Sequence, residues 1–247
     1  MSKSIKISLW STAGIVILVI LFLVFYMIKA KSEIAIMTPL ETGKVIDNIY
    51  VIEDDFVNVY IIREGKKAIV IDCGNDIETI KGGFEKLKIK PEDVVAVLLT
   101  HSDGDHVKAL NLFENAEVFL SHKEEQMING HTSRFLFFGN SINVSKYNLL
   151  ENNQIFTIAA TRIEGILTPG HTPGSMCYLI NDKYLFTGDA LSIKNDRIDE
   201  FNHFFNMDSE TALESIEKIK NLKKVEYIFT AHYGYSDNFK QAISEID

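Results

Sequence analysis

Thr100-His101-Ser102-Asp103-Gly104-Asp105-His106 places two imidazoles and two carboxylates within six residues, directly after the apolar run Val94 to Leu99. The run is short and strand-like, with the character of a buried strand. A chain with this sequence must therefore end a buried strand in a loop dense with metal-ligating groups. Mixed α/β proteins put metal chemistry in that setting.

Three further segments follow the same grammar. They are Thr168-Pro169-Gly170-His171-Thr172-Pro173-Gly174-Ser175, Thr187-Gly188-Asp189, and Thr230-Ala231-His232-Tyr233-Gly234. Each ends a strand-like run and breaks it with glycine and a histidine or an aspartate. Glycine permits positive φ and close passage of neighbouring backbone, so such strand ends can converge at one edge of a sandwich. Imidazole and carboxylate are ligands that Zn²⁺, Fe and Mn²⁺ accept. His101 and Asp103 are two apart and share a side in an extended segment. Asp105 and His106 are adjacent and diverge, which suits a second ion. His101, His106, His171 and His232 with Asp103, Asp105 and Asp189 are too many for one tetrahedral ion with an open position. They suit two ions sharing a bridging carboxylate.

The remaining chain supplies alternating strands and helices. Val45 to Glu53 and Phe56 to Arg63 read as two strands, and Ala68 to Ile71 as a third, ending at Asp72-Cys73-Gly74. Asn75 or Asp76 caps a helix running to about Lys88. Val107 to Phe113 reads as a helix, Glu117 to Leu120 as a strand and His122 to Ile128 as a short helix. Residues 129–150 have no clear period and read as an insertion or lid. Ile155–Ile158 and Arg162–Leu167 are strands, and Ser175–Ile180 with Lys183–Phe186 form a hairpin across Asn181-Asp182. Asp208-Ser209 caps a helix from about Glu210 to Leu222, Val225 to Phe229 is a strand, and Ser236 or Asp237 caps a last helix. Strands in runs with helices between them call for two sheets covered by helices.

In order and spacing, the four segments resemble the metallo-β-lactamase superfamily, whose signature is H-x-H-x-D-H followed by a distant His, a bridging Asp and a last His. The resemblance covers roughly residues 40–247 and implies an α+β fold, a four-layer αββα sandwich with the site at one edge. It implies that His101, Asp103 and His171 hold a first ion and that Asp105, His106 and His232 hold a second, with Asp189 bridging. Asp105 and Asp189 are then the catalytic carboxylates. A hydroxide between the ions is the implied nucleophile for an ester, thioester, lactone or amide, as in hydroxyacylglutathione-hydrolase-type or lactonase members. Asp72 resembles the family's strand-end Asp-x-Gly, which supports the site from behind. The implied cofactors are two divalent metal ions, Zn²⁺ first and Fe or Mn as alternatives.

The chain departs from the signature at one place: Asp103 stands where the second motif His is expected. The carboxylate makes that half harder and more anionic, shifting preference toward Fe or Mn. Flavo-diiron oxidoreductases of this superfamily also carry a carboxylate there, so a non-haem di-iron redox protein is one alternative. A membrane-anchored module with a degenerate site is another.

Leu9 to Ile28 is apolar apart from Ser11 and Thr12. About 20 helical residues span roughly 30 Å, one bilayer core. Trp10 and Tyr26 sit where interfacial aromatics belong. The run exceeds a signal-peptide core, and Ile28-Lys29-Ala30 is a poor cleavage site. Residues 1–33 thus read as a single-pass anchor or uncleaved signal with its flanks, and residues 34–247 as the hydrolase domain. The lysine bias leans toward an extracytoplasmic catalytic domain at the cell membrane. Residues 1–33 carry four lysines against one glutamate, so the rest of the −9 chain carries −12. That acidity argues against a nucleic-acid partner and for a small-molecule substrate. Cys73 and Cys177 read as buried free thiols.

The other polar and aromatic residues rank lower. His122 reads as a surface residue. His131 and His203 flank the pocket, and His203, Phe137 and Tyr233 are the expected substrate contacts. Phe137 belongs to the Phe135–Phe138 cluster, which reads either as core beneath a loop or as a hydrophobic lid for an acyl group. Tyr233 would donate a hydrogen bond to an oxyanion. A β-lactam reading needs a cation for the substrate carboxylate, and Lys194 is the one near the bridging Asp.

Overall fold

The computed structural model describes residues 3–134, 139–194 and 197–243. It divides into two compact units, Met1–Met37 and Thr38–Asp247. The first unit is one helix, α1 (Lys3–Ile34), which absorbs the apolar run expected at the amino terminus. Its 22-residue stretch Ala13–Ile34 is long and apolar enough to cross a bilayer.

The second unit runs β1 (Gly43–Ile46), β2 (Ile49–Asp54), β3 (Val57–Glu64), β4 (Lys67–Ile71), α2 (Ile77–Leu87), β5 (Val94–Leu98), α3 (Gly104–Val107), β6 (Glu117–Ser121), α4 (Glu125–Ile128) and β7 (Asn148–Leu150). It continues through β8 (Gln154–Ile158), β9 (Thr161–Leu167), β10 (Met176–Ile180), β11 (Tyr184–Phe186), β12 (Leu191–Lys194), β13 (Arg197–Glu200), α5 (Ser209–Lys220), β14 (Tyr227–Phe229), β15 (Tyr235–Ser236) and α6 (Phe239–Ile243). β1 to β7 form one sheet in sequence order, antiparallel up to β4 and parallel from β4 to β7. The second sheet has the order β15-β14-β11-β10-β9-β8, and β12 pairs β13 as a separate hairpin.

The alternation of β3 explains the layering. Val59 and Ile61 point to one side, packing with Ile52, Val70, Ile80 and Phe84 under α2. Tyr60 and Ile62 point to the other, meeting Met176, Tyr178, Phe186 and Phe229 of the second sheet. Both faces of the strand are apolar because both are covered. On the far side, α5 buries Ala212, Ile216 and Ile219, and its Ser215 Oγ donates to Pro169 O at 2.7 Å. The result is the expected αββα sandwich, α+β in class.

Local expectations needed four corrections. The run Val45 to Glu53 is two strands, because Asp47-Asn48 turns it, with Asp47 at φ 43°. No continuous α-helix spans Val107 to Phe113; a 3-10 turn at Leu110–Leu112 stands there instead. The His106 carbonyl accepts Cys73 N at 2.7 Å and Lys108 N donates to Gly74 O at 3.1 Å, so tertiary bonds take the groups a second turn would use. The last helix is capped by Asn238, whose Oδ1 accepts Gln241 N. The β12–β13 hairpin matches none of the strands expected from the sequence. By contrast, the Asp76 and Asp208 caps hold, each accepting the backbone N–H three residues on, at 2.8 and 3.0 Å, and Asn181-Asp182 turns its hairpin with positive φ at both residues.

Candidate metal centre

The four glycine-bearing segments meet at one edge of the two sheets. β4 and β5 are parallel neighbours, so Asp72 and Thr100 emerge side by side. Asp72 Oδ1 accepts Thr100 N and its Oδ2 accepts Thr100 Oγ1, both at 2.8 Å. The same Oδ2 receives His106 Nδ1 at 2.9 Å. Thr100 Oγ1 in turn meets His101 Nδ1 at 3.0 Å, and Phe56 O accepts His232 Nδ1 at 2.6 Å. Three imidazoles are thus held from behind through Nδ1, which leaves Nε2 of each facing the centre, the usual arrangement behind a metal-ligating histidine.

Two close approaches lock the loops together. Gly188 has φ +53°, and a Cβ there would lie 2.5 Å from Thr100 Oγ1. A Cβ at Gly174 would lie 2.0 Å from Glu124 N. Glu124 is fully buried. It accepts Ser102 N and Ser102 Oγ at 2.9 and 2.6 Å and Thr172 Oγ1 at 2.7 Å, bolting the first histidine loop to the His171 loop. Burial raises its carboxyl pKa despite these donors.

Asp189 sits between two imidazole pairs. Its Oδ2 lies 3.9 Å from His101 Nε2 and 3.3 Å from His171 Nε2, and its Oδ1 lies 3.5 Å from His106 Nε2 and 3.1 Å from His232 Nε2. Asp103 Oδ2 joins the first pair, 3.5 Å from His101 Nε2 and 3.2 Å from His171 Nε2. Asp105 Oδ2 joins the second, 3.6 Å from both His106 Nε2 and His232 Nε2. Asp105 and His106 therefore diverge at the backbone yet reconverge at their ligand atoms. Two half-sites result, with ligand atoms in each set within 4.8 Å of one another.

The chemistry of this cluster fits a divalent cation. His101 Nε2, His106 Nε2 and Asp189 Oδ1, all facing the centre, are buried with no hydrogen-bond partner, and buried polar atoms are seldom left so. Burial pushes the Asp189 carboxyl up, but His232, His106 and His171 outweigh it and hold it well below the carboxylate range. Burial pulls the His106 ring down, but Asp105, Asp189 and Asp72 raise it well above its ordinary value. His232 moves the same way, burial being overcome by Asp189 and Asp105. His171 is depressed to about 4 by burial, with the nearby Arg134 adding to the effect. A dry pocket with three carboxylates demands positive charge.

Sequence reading missed two side chains here, Arg134 and Asn140. Arg134 Nη2 lies 2.5 Å from Asp103 Oδ2 and its Nε donates to Asp103 Oδ1 at 3.1 Å. Nη2 also lies 2.8 Å from His171 Nε2, and Nη1 donates to Phe205 O. Asn140 Nδ2 donates to Asp103 Oδ1 at 2.8 Å. Both lie in the aperiodic 129–150 segment, where no spacing signal marks them.

Among the expected substrate contacts, His203 has a side chain that is 73% exposed and pairs with Glu200 at 2.9 Å. Tyr233 is buried beside His232, its ring 6.3 Å from that of Phe201. Phe137, with the rest of the Phe135–Phe138 cluster, lies outside the described residues. His131 is exposed, as is His122, which pairs with Glu151 at 2.9 Å. Lys194 lies 3.6 Å from Asp199 on the facing strand of its hairpin. Cys73 and Cys177 are buried free thiols, as expected.

The profile of the Metallo-beta-lactamase superfamily matches residues 52–232, a span that takes in every side chain of the cluster. The chain belongs to the metallo-beta-lactamase superfamily. This metallo-beta-lactamase-fold protein is a metallo-hydrolase, with relatives named as such. It is 32% identical to a probable metallo-hydrolase of Methanocaldococcus jannaschii over 67% of this chain and 71% of that protein. It is 31% identical to the probable polyketide biosynthesis zinc-dependent hydrolase PksB of Bacillus subtilis over 66% of each. It is 27% identical to the hydroxyacylglutathione hydrolase of Buchnera aphidicola over 81% of this chain and 70% of that protein.

Proposed function

We propose that this chain hydrolyses an ester, thioester, lactone or amide bond of a small molecule, with thioesters and lactones ahead of β-lactams. The observation that carries this is the split carboxylate of Asp189, one oxygen facing His101 and His171 and the other facing His106 and His232. In this reading His101, Asp103 and His171 ligate on one side, Asp105, His106 and His232 on the other, and Asp189 bridges. Zinc stands first because a relative is named zinc-dependent; iron and manganese are the alternatives the Asp103 carboxylate admits. A divalent cation bound there supplies Lewis acidity and lowers the pKa of coordinated water.

The chain's own groups do the rest. Asp72, Thr100 and the Phe56 carbonyl fix the imidazole tautomers. Asp105 presents Oδ2 to His106 and His232 Nε2 at 3.6 Å, where it would ligate beside them. Phe201 packs 5.2 Å from the His171 ring and 5.4 Å from the His232 ring, walling the centre with apolar surface and excluding water. The resemblance to a hydroxyacylglutathione hydrolase favours thioesters. Lys194, the cation a β-lactam carboxylate would need, pairs with Asp199 at 3.6 Å and lies 5.7 Å from the Tyr233 ring centroid.

The test is a panel of thioesters, lactones and a cephalosporin assayed after zinc reconstitution. Turnover of a thioester or lactone above the cephalosporin is expected. Protein that holds metal and turns over none of them overturns the proposal. Stoichiometric iron in aerobically purified protein, without hydrolysis, would instead favour a di-iron redox protein. The proposal extends to location: α1 anchors the catalytic unit as a single membrane pass, with that unit on the extracytoplasmic side. Membrane fractionation with alkaline extraction checks the anchor, and reporter fusions after residue 33 check the side.

A further inference from the structure

The two halves of the centre are not equivalent. Asp103 is saturated by the protein itself: Arg134 grips both oxygens through Nε and Nη2 at 3.1 and 2.5 Å, and Asn140 adds a donor at 2.8 Å. The same Nη2 lies 2.8 Å from His171 Nε2, the atom that faces Asp189. Asp105 has no such attachment; among the described residues it accepts no hydrogen bond, and its Oδ2 faces only His106 and His232 Nε2 at 3.6 Å.

We propose that the Arg134 guanidinium is the resident cation of the Asp103 half-site, so that one divalent ion binds tightly at Asp105, His106, His232 and Asp189, and a second enters only by displacing Arg134. A planar guanidinium forked onto a carboxylate is a strong, geometrically specific partner that is never deprotonated. A metal arriving at Asp103 and His171 must break that fork, and its apparent affinity falls accordingly. Because Nη1 of Arg134 also donates to Phe205 O, entry of the second ion releases the 201–206 loop as well. Charge explains why the arginine belongs with this ligand set: Asp103 brings a negative charge that a neutral histidine at that position would not, and Arg134 balances it.

This rests on the reading of the seven side chains as ligands, and the experiment separates the two. The full-length, metal-stripped chain is titrated with Zn²⁺ by equilibrium dialysis with metal analysis. In parallel the ¹H–¹⁵N signal of the Arg134 Nε–H is followed, assigned by its loss in Arg134→Lys. The expected result is one tight equivalent and a second at least ~100-fold weaker, with the Nε–H signal surviving the first and lost with the second. Arg134→Ala should tighten the second equivalent at least ~10-fold without weakening the first. Arg134→Lys, which keeps the charge but lacks the fork, should fall between parent and Ala. Two equivalents of equal affinity in the parent, or an Ala isotherm that superimposes on it, overturns the role of Arg134. No binding at all overturns the ligand assignment.

Discussion

Asp72→Asn tests the centre from behind, without replacing any of the seven proposed ligands. Asp72 has φ +59°, a conformation asparagine tolerates as well as aspartate, so the backbone is not the confounder. The carboxylate accepts three donors, Thr100 N, Thr100 Oγ1 and His106 Nδ1, within 2.8–2.9 Å. In the variant the amide oxygen can keep Thr100 N, but the NH₂ then faces the other two donors. His106 must surrender its Nδ1 proton, which moves to Nε2 and points into the centre where a lone pair is needed. Losing one charge-assisted bond is worth about 1.5–3 kcal/mol. At 1.4 kcal/mol per decade that is roughly 10–100-fold in metal affinity, the size of effect known for such backing residues. Competition of parent and variant against a chromophoric zinc chelator at neutral pH measures it, with urea unfolding of the metal-free forms as the folding control. An Asp72→Asn chain that is fully folded and holds zinc within about threefold of the parent refutes the tautomer argument.

Three further outcomes are expected. Gly188→Ala forces a side chain to φ +53° and a Cβ to within 2.5 Å of Thr100 Oγ1, so its urea midpoint should drop by an amount worth about 2–5 kcal/mol, the sum of left-handed strain and overpacking. Glu124→Gln leaves an NH₂ among the Ser102 and Thr172 donors and should cost about 1–3 kcal/mol, read by thermal denaturation. In the metal-free chain His106 and His232 are raised, so their contribution to stability is complete below about pH 6.5 and lost as pH climbs through the raised values. Asp189 and Asp103 are depressed, so theirs is present above about pH 4 and lost on acidification through the depressed values. The thermal midpoint of stripped protein should therefore fall above neutrality. That of zinc-loaded protein should fall on acidification, because protons compete for the ligands.

The sandwich was legible in the sequence because its strands come in runs with helices between them, and the seven His and Asp side chains that the structure brings together stand in segments that end strands. The helices were legible where a cap names them, as at Asp76 and Asp208. What escaped depends on tertiary context. Helix formation after His106 stops because Cys73 N and Gly74 O, thirty residues away in sequence, claim its backbone. Arg134 carries no periodic or motif signature; only folding of the 129–134 stretch over Asp103 makes it part of the centre. The pairing of His203 with Glu200, three residues before it, has no motif signature either.

The two sheets contribute unequally to the centre, and that has a mechanical consequence. His101, Asp103, Asp105 and His106 hang from the end of β5 in the larger sheet, whereas His171, Asp189 and His232 hang from β9, β11 and β14 in the smaller. Each half-site draws on both, so cation loading acts as a clasp across the open edge of the sandwich. Hydrogen exchange should then slow on both sides of the seam together when zinc is added, and the sheets should part first at that edge when it is removed.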